Sequence, residues 1–330
     1  MDAGPIAPAS PFHAGEQAMQ TRAGVRARMD QRAARAIRDV MPEQHRAFFE
    51  TLPFLPVALD GDGGWPAATI LTGPPGFVSS PDPRLLRVAA LPPPADPAAS
   101  RLRVGMPVGA LGIDLAARRR NRTNGAIARI DAQGFDIAVA QSFGNCAQYI
   151  QAREVEPARG DGPAEAAWER LSGLDYEASG LIAAADTLFV ASGSEAGMDM
   201  SHRGGRPGFV RVEADTLTVP DFAGNRYFNT LGNFLLNDKA AVLFPDFSTG
   251  DLLNLIGRVE IVDDGEEVRR FLGAERLWRV HVASGWRGRG VVPLRGGSPA
   301  YAPTTLATGE WGAPAGEPLT TSPRTAAARR

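Results

Sequence analysis

One cysteine, Cys146, and four histidines, His13, His45, His202 and His281, are all that this 330-residue chain offers of the side chains most used for disulfides and transition-metal sites. An intrachain disulfide and a cysteine-rich zinc site are excluded, and a reducing compartment is indicated. No cluster of His, Cys and carboxylates has metal-ligand spacing, so no metal is expected. Gly193-Ser194-Glu195-Ala196-Gly197 misses the Gly-x-Ser-x-Gly spacing of a nucleophile turn. Neither the dinucleotide Gly-x-Gly-x-x-Gly after a strand nor the phosphate-loop Gly-x-x-x-x-Gly-Lys-Ser/Thr occurs, which argues against a parallel-sheet nucleotide fold. A formal net charge of −2 is wrong for a broad nucleic-acid surface, and the one dense basic run is Arg118-Arg119-Arg120-Asn121-Arg122. There is no apolar stretch of about 18 residues to span a bilayer, and Met1 to Ser10 lacks the regions of a signal peptide. The expectation is a cytoplasmic protein with neither a membrane nor a nucleic-acid partner.

What is present is a repeat. Gly73-Pro74-Pro75-Gly76-Phe77-Val78 returns as Gly205-Arg206-Pro207-Gly208-Phe209-Val210, a shift of 205 − 73 = 132, and the same shift carries Leu111 onto Leu243, Asp114 onto Asp246 and Gly125 onto Gly257. With 44% hydrophobic and 22% charged residues, the chain has material for two ordinary cores. The copies differ: the second has polar residues suited to an anion (Ser201, His202, Arg203, Asn225, Arg226), where, Thr69 apart, the first has apolar residues or proline.

The texture along the chain divides it four ways. Residues 1–50 read as a helical extension, with two helices over Phe12 to Glu50 broken near Met41-Pro42. Residues 51–155 show short apolar or alternating runs between Gly, Pro and Asp, the signals of strands and turns. Residues 156–308 open with a helical segment from Ala164 to about Ala185, resume the strand texture, and hold one helix over roughly Arg226 to Asn237. Residues 309–330, rich in Gly, Pro, Ala, Thr and Arg, are expected to be disordered. Six short strands with a helix between the fourth and fifth, given twice, predict a mainly β fold with helices (α+β), made of two small antiparallel barrels.

One segment has the makings of a site. Thr216 to Phe222 runs a strand into a turn, and Asn225 and Arg226 follow where free backbone N–H groups, an amide and a guanidinium would welcome a phosphate. The plainer reading is that Asn225 caps the helix and Arg226 is a solvated charge. Both stay open on these residues alone.

Gly208-Phe209-Val210-Arg211-Val212, Thr216-Leu217-Thr218-Val219-Pro220-Asp221, Gly224-Asn225-Arg226 and Leu243-Phe244-x-Asp246-Phe247-x-Thr249-Gly250 resemble the FMN-binding split barrels related to pyridoxamine 5'-phosphate oxidase. Phe12-His13-x-Gly15-Glu16, Leu71 to Phe77 and Gln141-Ser142-Phe143-Gly144-Asn145-Cys146-x-Gln148-Tyr149-Ile150 resemble the two-barrel members. That resemblance implies tandem barrels forming an internal pseudo-dimer, as a monomer or as a homodimer, with one FMN where they meet. It puts Asn225 and Arg226 at the phosphate with Asn229 in support, and Phe209, Val210 and Arg211 beside the cofactor. Asp221 suits a ribityl hydroxyl or the flavin N3–H, because a carboxylate repels phosphate.

Ser201, His202 and Arg203 are expected in a loop before the Gly208 strand, facing the N1 and C2=O edge of the ring. Arg203 and His202 are the candidates for a catalytic role. From the first barrel, strand alternation puts Arg118, Arg120 and Arg122 on one face, as a solvated edge or as a strand reaching the FMN. Gln141 and Ser142 end another strand, as Val280 to Ser284 do in the second barrel, and are expected at the ring edge. Cys146 is expected to be a small buried residue. The implied function is that of an FMN-dependent oxidoreductase acting on a small molecule, with a nicotinamide or a separate reductase as electron source. The rival is a non-catalytic carrier of flavin or haem. Simple oxidases of the family hold the phosphate with adjacent Arg and Lys, where this chain has Asn225 and Arg226, so vitamin B6 oxidation is not implied.

Overall fold

The structure is a computed structural model and describes residues 10–158 and 168–311. Three helices come first: α1 (Ala14–Arg22), α2 (Arg26–Ala36) and α3 (Glu43–Glu50). The break at Met41-Pro42 is where the sequence puts it, and a second break at Ala23-Gly24 divides the first predicted helix in two.

Seven strands follow, β1 (Phe54–Leu59), β2 (Ala67–Thr72), β3 (Val78–Asp82), β4 (Leu85–Val88), β5 (Pro107–Asp114), β6 (Arg119–Asp131) and β7 (Gly134–Asn145). They form an antiparallel sheet in the order β2-β1-β5-β6-β7-β4-β3. After β8 (Val155–Pro157) come β9 (Trp168–Leu171), α4 (Tyr176–Ala184), β10 (Thr187–Ser194), β11 (Gly197–Gly204), β12 (Arg211–Glu213) and β13 (Thr216–Phe222). Helix α5 (Asn229–Leu236) then leads to β14 (Lys239–Pro245), β15 (Leu252–Val262) and β16 (Ala274–Gly288). The second sheet runs β11-β10-β14-β15-β16-β13-β12, the same order strand for strand, with β9 added beside β16. Both halves are α+β split barrels.

Continuous apolar runs are explained by burial on both strand faces. In β1, Leu55, Val57 and Leu59 fill the first barrel, while Phe54 and Ala58 face the second. In β10, Leu188 and Val190 fill the second barrel, while Phe189 and Ala191 face the first. Leu111, Ile113, Met198, Met200 and Leu243 complete this shared layer, where the Phe54 and Phe189 rings lie 6.4 Å apart. The repeated Gly-x-Pro-Gly-Phe-Val motif is a structural turn. A Cβ on Gly73 or Gly205 would sit 2.5 or 2.3 Å from the ring of Phe77 or Phe209, so only glycine lets that aromatic fold back into its barrel.

Several local expectations are corrected. The helix expected from Ala164 lies partly over residues 159–167, outside the described residues, and Trp168–Leu171 is a strand because it pairs with β16 at Leu171↔Gly285. Helix α4 starts only at Tyr176, where the Asp175 side chain accepts from the Ala178 N–H at 2.7 Å. Helix α5 starts at Asn229, not Arg226, because Arg226 and Phe228 sit at φ +66° and +61°. Val280 to Ser284 lie within β16 rather than at its end, and His281 is exposed beside Glu260. Of the expected tail, Gly309 to Trp311 are packed: Trp311 Nε1 donates to the Phe209 carbonyl at 2.9 Å and its ring lies 4.9 Å from Phe271. Residues 312–330 lie outside the described residues.

Helix α1 wraps back onto the second barrel, while α3 packs Phe48 and Phe49 into the first. α1 crosses α5 backbone to backbone, since a Cβ on Gly15 would meet the Gly232 carbonyl oxygen at 2.0 Å. Phe12, Met29 and Ala33 pack with Phe143 of β7 and Tyr227 just before α5.

Candidate functional site: a cationic cleft at the barrel seam

A cleft opens where β6 and the end of β7 meet β11, the turn after β13 and the start of α5. Four arginines line it, Arg120, Arg122, Arg203 and Arg226, against two carboxylates, Asp221 and Glu275. The excess of positive charge suits an anion.

Period-2 alternation on β6 points Arg120 and Arg122 across the seam. Arg122 is 3% exposed; it donates to Asp199 and to the Ser201 hydroxyl, each at 2.5 Å. Ser201 also accepts from Thr230 at 2.9 Å, which leaves its own proton for another partner. Arg120 donates to the Cys146 carbonyl at 2.8 Å and to His202 Nδ1 at 3.1 Å. A guanidinium only donates, so that contact makes Nδ1 the acceptor and puts the neutral ring's proton on Nε2. Burial, reinforced by Arg120, Arg203 and Arg153, keeps His202 well below the usual histidine range, so the ring is neutral. Burial also pushes Arg120 down to about 9, with the charges of Arg203 and Arg122 acting in the same sense. An anionic guest would relieve both strains.

Arg203 lies 3.6 Å from Asp221, and Asp221 accepts from Arg276 at 2.8 Å. In the turn, Asn225 accepts from the Tyr227 N–H at 3.1 Å and donates to Asn145 at 3.4 Å. Arg226 forms a two-point ion pair with Glu275. Asn229 donates to Glu16 of α1. Tyr149 and Phe222 close the aromatic side, with ring centroids 4.9 Å apart.

The unpaired atoms carry the most information. Among the described residues lining the cleft, four buried polar atoms lack a partner: Arg122 Nε, Asn145 Nδ2, His202 Nε2 and Arg203 Nε. All four are donors. A buried unpaired donor is costly, so this arrangement calls for a ligand rich in acceptors.

Nine of the residues singled out from the sequence converge here: Arg120, Arg122, Ser201, His202, Arg203, Asp221, Asn225, Arg226 and Asn229. Ser201, His202 and Arg203 do so from strand β11, not from a loop. Five do not line the cleft. Phe209 and Val210 are core of the second barrel, and Arg211 is held by Glu213 and Glu267 under the Trp311 ring. Gln141 donates to the Pro11 carbonyl at 3.1 Å, and Ser142 lies 2.9 Å from His45 Nδ1, because the N-terminal helices cover that strand. Arg118 turns aside at φ +50° to the Ile150 carbonyl. Cys146 is half-buried on the cleft wall rather than in a core. Asn145, Gln148, Tyr149, Phe222 and Glu275 were not picked out as site residues; the first three lie at or just after the end of β7 and sit inside the Gln141 to Ile150 run that carries the resemblance. Glu275 had no sequence signal.

Among the described residues there is no metal-holding group of three His, Cys, Asp or Glu, and no helix long and apolar enough to cross a membrane.

No protein-family model and no curated protein matches the chain. Solved structures match about a third of it. HupZ of Group A Streptococcus is 19% identical over 33% of this chain and 89% of its own, with a TM-score of 0.28. A candidate pyridoxamine 5'-phosphate oxidase from Lactobacillus delbrueckii is 13% identical over 34% and 93%, with a TM-score of 0.29. An FAD binding protein from Mycobacterium smegmatis is 14% identical over 37% and 98%, with a TM-score of 0.26.

Proposed function

We propose that this protein is an FMN-dependent oxidoreductase, a duplicated split barrel in which the seam cleft holds one flavin and admits a small-molecule substrate. The observation that carries the reading is the set of four unpaired buried donors on residues that line a cationic cleft. Phosphate oxygens and the carbonyl edge of a flavin are acceptors of the kind that set requires. Bound there, the flavin would supply hydride and electron transfer.

The residues divide the work by chemistry. Asn225 and Arg226 would hold the phosphate, which requires Arg226 to exchange Glu275 for the ligand. Arg203 and the His202 Nε2–H would face the ring edge that gains charge on reduction, and Asp221 keeps Arg203 in place. Tyr149 and Phe222 would exclude water. The electron source in this reading is a nicotinamide or a separate reductase, and the protein works as a monomer whose own halves form the site, or as a dimer of such units.

Haem carriage is the weaker alternative. His202, the one histidine lining the cleft, is a poor iron ligand: binding through Nε2 needs a proton on Nδ1, and Nδ1 already accepts from Arg120. The spectrum of the protein as purified tests both readings. A flavin spectrum bleached by a nicotinamide supports the oxidoreductase, an unreactive flavin supports a carrier, and a Soret band without flavin overturns the flavin site.

A further inference from the structure

Exchanging the two barrels maps the cleft onto a second place in the seam, with β2 for β11, the segment after β4 for that after β13, and β15 for β6. A cavity of about 320 Å³ lies there. At the common offset of 132, Asn254 stands where Arg122 stands in the cleft, and Pro97 and Ala98 stand for Asn229 and Thr230. The registers agree, since Trp286 is opposite Asn254 across β15 and β16 as Phe143 is opposite Arg122 across β6 and β7.

The chemistry is inverted. Trp65, Trp286, Ile256, Ala67 and Ala98 make apolar walls, and the two charged lining residues, Arg101 and Asp62, neutralise each other. Lys239 and Arg258 hold the Trp65 ring, 5.2 and 5.8 Å from its centre. Asn254 is 3% exposed, and its Nδ2 donates to the Ala68 carbonyl at 2.9 Å. A carbonyl only accepts, so the orientation of that amide is fixed and Oδ1 is left as a buried acceptor with no partner. The unpartnered buried atoms of the cleft are donors; the unpartnered buried atom of this cavity is an acceptor.

We propose that the cavity is a second ligand site, taking an uncharged, flat, mainly apolar small molecule with one N–H or O–H donor for Asn254 Oδ1. Its size is at the lower end for small-molecule pockets, and aromatic walls with a few placed polar groups are their usual lining. A phosphate or carboxylate would meet an acceptor and no free cation. The inference goes beyond the flavin reading and stands without it.

Indole has the required shape and a single N–H; indene has the shape and no donor. Calorimetry on the full chain should show saturable one-to-one binding of indole, with indene weaker by about tenfold for the lost hydrogen bond. Ile256→Trp, which fills the cavity, should abolish indole binding while FMN titration of the cleft stays as in wild type. If that variant does not fold, Ala67→Phe fills the same space, and the comparison of indole with indene on wild-type protein needs no variant. Absence of saturable binding, equal affinity for indole and indene, or wild-type indole binding in a folded cavity-filling variant overturns the proposal.

Discussion

Arg122 of the first barrel and Asp199 of the second form a buried ion pair across the seam, 2.5 Å apart with side chains 4% and 8% exposed. Asp199 also accepts from Asn124 and Asn233, each at 2.8 Å, so one carboxylate gathers β6, β11 and α5. Arg122→Ala would strand that carboxylate in a dry seam. Loss of one partner of a buried pair costs about 3 to 5 kcal/mol, enough to lower the denaturation midpoint clearly. Replacing both, as in Arg122→Leu with Asp199→Leu, should recover part of the loss. A single variant as stable as wild type in urea would show that the pair does not hold the seam.

At the turn, Arg226 and Glu275 make opposite predictions. Arg226→Ala should weaken FMN binding about tenfold to a hundredfold, the worth of a charge-assisted hydrogen bond to phosphate. Glu275→Gln frees Arg226 from its competing partner and should tighten binding several-fold. Titration of apo-protein with FMN measures both, and equal shifts in one direction would remove the phosphate from this turn.

Arg203→Gln tests the ring edge. A cation there favours the anionic reduced flavin, so deleting it should lower the midpoint potential by tens of millivolts with FMN still bound; about 1.4 kcal/mol corresponds to about 30 mV for two electrons. An unchanged potential at full occupancy would move Arg203 away from the ring and favour a carrier.

Glu16 predicts a pH dependence. Burial first, and then Asp199, push its carboxyl up from 4.5 to about 8. The folded chain therefore keeps a proton between pH 4.5 and about 8 that the unfolded chain releases. The stability tied to that proton is fully present below about 4.5 and is lost as pH rises toward 8. His13, Asn229, Arg122 and Asp199 face this group, so the informative quantity is the Tm of wild type minus that of Glu16→Gln. It should fall from pH 5 to 8.5; a flat difference would mean that Glu16 titrates normally.

The isolated second barrel, from Trp168 onward, should self-associate. It would expose Phe189, Ala191, Met198, Met200 and Leu243, which the first barrel now covers. A monomeric fragment by light scattering that still binds FMN tightly would make the first barrel dispensable.

The barrels were legible because their signals are local. An offset of 132 pairs the two Gly-x-Pro-Gly-Phe-Val turns, and apolar runs bounded by Gly and Pro mark strands buried on both faces. Arg120 and Arg122 were legible only as alternatives, since a buried arginine and a solvated one look alike within a basic run. Ser142 was misplaced because a residue 97 positions earlier, His45, covers it. The N-terminal helices were readable as helices, but their docking was not: Glu16 meets Asn229 across 213 positions, and such a contact leaves no periodicity in either segment.

The close crossing of Gly15 and Gly232 has a consequence for synthesis. Helix α1 has as its seat a helix 232 − 15 = 217 residues downstream. At ordinary elongation rates that seat is made about ten to forty seconds later. Until then α1 lacks its seat, and a nascent chain stalled before residue 232 would hold a finished first barrel, with α3 packed into it, beside an undocked α1.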